Sequence, residues 1–126
     1  MTTVRPLPVD DALALEYDED LAARAVPLHE ALRRVRADEV TLAGGDAERL
    51  AATYEGRLEA ARAAGLPHAG LEPLVAALRG AAGEPVWGFT VRDATMIYIA
   101  FAEASVSRLI GIAVLPARGS EAVLAG

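Results

Sequence analysis

Residues 86–115 read VWGFTVRDATMIYIAFAEASVSRLIGIAVL, and the fold turns on how this stretch is parsed. It divides into Val86–Asp93, Ala94–Glu103 and Val106–Leu115, runs rich in β-branched and aromatic residues with brief polar breaks between them, as short strands are. With two-residue turns at Asp93-Ala94 and Ala104-Ser105, alternation sends Val86, Thr90, Ile97, Ile99, Phe101, Ile110, Ile112 and Val114 to one face. Trp87, Phe89, Val91, Met96, Tyr98, Ala100, Ala102, Leu109, Gly111 and Ala113 fall on the other. An antiparallel meander in a small domain normally keeps one side polar, so a sheet apolar on both sides must be covered twice. The helical first half supplies one cover; the second must be more of the chain, another copy, a partner or a ligand. An odd-length turn would reverse the face that a strand presents.

Upstream, the spacing predicts helices. Asp46 is an N-cap candidate, Glu48 suits the first turn, Ala47, Leu50, Ala51, Tyr54, Leu58 and Ala61 form a stripe, and Gly65 and Pro67 end the helix. Tyr54 is expected to pack on the sheet from this stripe. A shorter helix runs from about Glu72 to Ala82, with Leu74, Val75 and Leu78 inward. Pro27 suits a first helical position, and Leu28, Ala31, Leu32 and Val35 share one face of a helix to Ala37. From Asp10, Leu13, Tyr17 and Leu21 make one stripe that the acids at 18–20 divide. Glu39–Ala43 reads as an edge strand or a connection into Gly44-Gly45. The expectation is one α+β domain over 1–126 in two layers: an extended arm (1–9), a mainly helical part (10–82) packed on a C-terminal three-stranded antiparallel meander (86–115), and a flexible tail (116–126).

Composition narrows the function classes. The 126 residues contain no cysteine, which removes disulfides, thiolate nucleophiles and iron–sulfur ligation. Lysine, asparagine and glutamine are absent too, a bias typical of GC-rich bacterial genomes. The formal charge of −6 argues against nucleic acid as a partner. The apolar run from Ala94 is broken by Glu103, Ser105, Ser107 and Arg108, which fits a hairpin rather than a membrane span, and no signal-peptide pattern opens the chain. A cytoplasmic setting is expected.

No motif names a reaction. His29-Glu30 lacks the second histidine of a zinc helix because Arg33 stands in its place, and only His68 remains, so neither a metal nor a cofactor is expected. Gly44-Gly45-Asp46 is not followed by a phosphate-loop lysine. Arg33, Arg34 and Arg36 form a weak anion-binding candidate that Glu30 and the acidic run can neutralise. Tyr98 lies among Trp87, Phe89, Met96 and the small Gly111, where large rings beside small residues can leave a hollow for a ligand or an interface. His68, Asp93 and Glu103 are the remaining acid–base candidates. The leading expectation is a binding or accessory module that forms a homodimer or meets a partner protein through the Trp87/Phe89/Tyr98 face. The alternatives are a cofactor-free isomerase, cyclase or hydrolase acting on a hydrophobic small molecule in that face, and an acidic inhibitor or immunity-like protein.

Overall fold

The computed structural model describes residues 3–124 and corrects the expected architecture: the sheet has five strands, and helices alternate with them along the chain. The strands are β1 (Val4–Pro8), β2 (Glu39–Asp46), β3 (Pro85–Arg92), β4 (Met96–Glu103) and β5 (Leu109–Pro116), ordered β1-β2-β3-β4-β5 with every neighbour antiparallel. Helices α1 (Val9–Leu13) and α2 (Ala22–Arg34) connect β1 to β2, α3 (Ala47–Ala64) and α4 (Glu72–Gly80) connect β2 to β3, and α5 (Ala117–Leu124) follows β5. The stretch expected as an arm thus holds β1, and Glu39–Asp46 is an inner strand. The tail expected over 116–126 holds the last residue of β5 and then α5, with Ala125 and Gly126 outside the described residues.

The two-layer expectation fails for a physical reason already visible in the sheet: both faces are apolar, and the chain covers both itself. Ala25, Leu28, Ala31 and Leu32 of α2, with Ala12 of α1, pack on Phe89, Val91, Tyr98, Ala100 and Ile112. Ala47, Ala51 and Leu58 of α3, with Leu74, Val75 and Leu78 of α4, pack on Val86, Ile97, Ile99, Phe101 and Ala113. The result is three layers, helices on either side of one sheet.

Two local details set the faces. The Asp93 N–H donates to the Met96 carbonyl, so the β3–β4 turn is Ala94-Thr95, one residue later than expected; this shifts the pairing by two, with Arg92 opposite Ile97, and the expected alternation of both strands is preserved. Between β4 and β5 the register slips at Phe101/Ala102, where Ala102 pairs with Leu109 but Phe101 pairs with Gly111. Ile110 is the extra residue of a bulge, and everything after it changes sides. Ile112 and Val114 therefore join the Tyr98 face, while Gly111 lies under Leu74 and Ala77 and Ala113 beside Ile99.

Both outer edges of the sheet are closed. The Gly44 N–H donates to the Thr3 carbonyl and the Val9 N–H to the Asp38 carbonyl, so alternation points the backbone of Pro6 and Pro8 outward from β1. Prolines there cost no ladder bond and offer no N–H to an incoming strand. Along β5, the Leu109 N–H donates to the Glu16 carbonyl at 2.7 Å, and a side chain on Gly70 would run into the Val114 carbonyl, so the turn Ala69–Leu71 lies close against the strand.

Candidate functional site

The sheet is open in its middle. β2 and β3 pair only over Ala43–Asp46 against Pro85–Gly88. Beyond that point Glu39–Leu42 stays with β1 and Phe89–Arg92 stays with β4, so the two halves of the sheet part. The Ala47 N–H donates to the Glu84 carbonyl, and alternation from that rung turns the backbones of Thr41 and Thr90 toward each other across the gap. A cavity of about 640 Å³ occupies it. Thr41 and Ala43 form one wall, Gly88 and Thr90 the other, Ile99 and Phe101 the floor, and Leu50 and Tyr54 of α3 the roof. A second cavity of about 430 Å³ shares Tyr54, Thr90 and Ile99 and continues to Arg57, Arg92 and Glu121. Both volumes lie in the range of small-molecule sites.

Tyr54 stands where the two cavities meet. Asp46 caps α3, accepting the Arg49 N–H at 3.4 Å, and Gly65 ends the helix in the left-handed conformation at φ 68°. This fixes Tyr54 and Arg57 one turn apart above the gap. The Tyr54 ring meets Phe101 edge to face at 5.8 Å, and the Arg57 guanidinium sits over the ring, 5.1 Å from its centre. Burial pushes the Tyr54 phenol pKa up, with Arg57 opposing, so the hydroxyl stays a neutral donor. Tyr54 packs on the sheet as expected, against Phe101, and being half-buried it also forms the upper lip of the opening.

The residues singled out in the sequence are placed elsewhere. Trp87, Phe89, Met96 and Tyr98 share the face that α1 and α2 cover, and Gly111 lies on the opposite face because of the bulge. Trp87 is half-buried, crosses Gly44 and carries the Arg5 guanidinium 5.4 Å from its ring centre, so the glycine pair is a strand segment in which Gly44 makes room for the indole and Gly45 for Leu50. Tyr98 is 5% exposed. Burial raises its pKa, Asp93 and Glu30 add to the rise, and Arg34 opposes it. Tyr98, Asp93 and Arg34 are thus brought near one another, but the Asp93 carboxylate is engaged by the N–H groups of Thr95 and Met96 at 2.8 and 2.7 Å. Those bonds hold its pKa below the ordinary 3.8, as a turn-forming carboxylate requires. Glu103 likewise accepts from Ser105 at 2.6 Å and from Ser107, which lowers its pKa. His68 donates from Nδ1 to the Leu66 carbonyl at 3.0 Å beside the other edge of the sheet. Arg33, Arg34 and Arg36 are exposed, and the acidic run pairs through Asp18 with Arg108 instead. Among the described residues, no group of three or more histidines and carboxylates is placed to hold a metal, and no helix is long and apolar enough to cross a membrane.

His29 carries a pH dependence of its own. It packs edge to face on Tyr17 at 5.6 Å, and burial, with Arg33 adding, lowers its pKa below 6.5. The fold then prefers the neutral ring while the unfolded chain takes a proton near 6.5, so this contribution to stability is complete above 6.5 and is lost as pH falls through the folded pKa. Denaturation midpoints at about pH 7.5 and about pH 5.5 should differ in that direction, and His29→Gln should flatten the difference. A slope unchanged by the substitution would assign the effect to other groups.

The chain matches no family model, no curated protein and no solved structure.

Proposed function

We propose that this chain is a small cytoplasmic binding or accessory module whose ligand site is the opening between β2, β3 and α3. The observation that carries this reading is the parting of the two inner strands over a cavity of about 640 Å³. Antiparallel neighbours normally continue their ladder to the strand ends; at this opening Thr41 and Thr90 are exposed, so water can serve the unpaired groups until a ligand takes its place. Here Thr41 and Thr90 turn theirs toward a hollow floored by Ile99 and Phe101, an apolar site with a few polar groups to orient what enters. The same reading moves the binding surface away from the Trp87/Phe89/Tyr98 face. With α1 and α2 on that face, its apolar character no longer calls for a second copy. Binding is preferred to catalysis because the acid–base candidates Asp93 and Glu103 are engaged in turns and Tyr98 is covered by helices, away from the opening.

Titration with N-phenyl-1-naphthylamine, a neutral apolar dye, tests the site. Wild-type protein should bind it saturably with a fluorescence rise. Thr90→Trp places an indole at an exposed strand position bordering both cavities and should abolish that binding while changing stability by no more than about 0.5 kcal/mol. Absence of saturable binding to the wild type, or undiminished binding to a folded Thr90→Trp variant, would refute the assignment.

A further inference from the structure

We propose that the ligand of this cleft is an amphipathic anion, its acidic head held by Arg57 and Arg92 and its apolar body lying over Ile99 and Phe101 toward the β2–β3 gap. The inference rests on the cleft being the ligand site and adds the chemistry of what fills it. All 12 basic residues are arginines, and four of them pair with carboxylates among the described residues. Arg62, Arg79, Arg92 and Arg108 each take one. Arg57 is among those that do not pair with one among the described residues, and what distinguishes it is its half-buried place in the lining of the cleft. Its guanidinium rests on the Tyr54 ring and interacts with its hydroxyl, which steers the planar group, and its five N–H donors leave others for a carboxylate, sulfonate or phosphate.

The rest of the cavity agrees with this polarity. Arg92 enters from β3 and is paired with Glu121 of α5, so an arriving anion would find a second guanidinium whose present partner is a surface carboxylate. Such an exposed pair is weak and can be exchanged at little cost. At the far end of the opening stands Glu39, which repels a negative head and so orients the ligand with its apolar part inward from Arg57. The adjoining volumes of about 430 and 640 Å³ accommodate a head at the arginines and a ring system or short chain in the gap. A free inorganic anion would leave the larger, apolar volume unused.

Two dyes that share one body separate the terms. 8-Anilinonaphthalene-1-sulfonate carries the anilinonaphthalene of N-phenyl-1-naphthylamine plus a sulfonate. Wild-type protein should bind the sulfonate about tenfold or more tightly than the neutral dye, the scale of a charge-assisted hydrogen bond at a partly solvated site. Arg57→Gln should bring the two affinities together, and excess inorganic phosphate should displace the sulfonate poorly. Equal affinities in the wild type, a preference that survives Arg57→Gln, or ready displacement by phosphate alone would each overturn the proposal while leaving the cleft as a binding site. Failure of both dyes to bind would remove the site itself.

Discussion

Truncating Leu28 to alanine should lower the unfolding free energy by about 2–5 kcal/mol, the range for removing a fully enclosed leucine. Leu28 is 0% exposed in the layer that α2 lays over Phe89, Tyr98 and Ile112. Its loss opens a cavity between a helix and a sheet that are each held by many other contacts, so the void can close only in part. The unfolding midpoint of wild type and variant alike should be independent of protein concentration. A face completed by a second copy would instead give a midpoint that rises with concentration, because assembly stabilises by mass action. A loss below about 1 kcal/mol, or a concentration-dependent midpoint, would mean that α2 is not the cover of this face.

What could be read from the sequence follows from how locally each feature is determined. The strands β3 and β4, and the residues on each of their faces, were legible because alternation is a property of a few neighbours, and moving the turn by one residue to Ala94-Thr95 shifts pairing by an even number. Helix α3 was legible from its caps, Asp46 and Gly65, which act within one turn. The β1 strand was not, because Pro6 and Pro8 argue against a strand unless it is an edge whose prolines face outward, and that condition exists only once β2 is beside it. Nor was the end of β2, where Gly44-Gly45 imitates a loop and in fact clears space for Trp87 at Gly44 and for Leu50 at Gly45. The bulge at Ile110 left no local mark and reversed the later half of β5.

The candidate site was less legible than the fold. Its walls come from β2, β3, β4 and α3, and its existence depends on where a ladder stops, which is a long-range matter. One signal was present. Thr90 interrupts the aliphatic and aromatic residues Val86, Ile97, Ile99 and Phe101 on its face, and a polar residue there needs a wet or functional surrounding. The aromatic cluster around Tyr98 drew attention because large side chains beside small ones can leave a hollow. In this fold the small residues let helices approach instead, with Ala25 and Ala31 of α2 fully buried on that side.

Phe101→Ala should cost about 3–5 kcal/mol, as large aromatic truncations in cores do. The ring is 4% exposed and lies directly across from glycine on both neighbouring strands, Gly88 on β3 and Gly111 on β5. A methyl group added at Gly88 would come within 2.5 Å of the Phe101 ring, so the ring already fills the space that a side chain on β3 would take. It also supports Tyr54 edge to face at 5.8 Å. Removing it leaves the glycine backbone uncovered at the last rung before β2 and β3 part, and takes away the floor on which the lip of the cleft rests. The same variant should therefore lose dye binding even under conditions where it remains folded, whereas Leu28→Ala, on the other side of the sheet, should retain it. Denaturant titration gives the first quantity and dye titration the second. A Phe101→Ala protein of wild-type stability, or one that is destabilised yet binds the dye unchanged, would show that core and cleft do not share this ring.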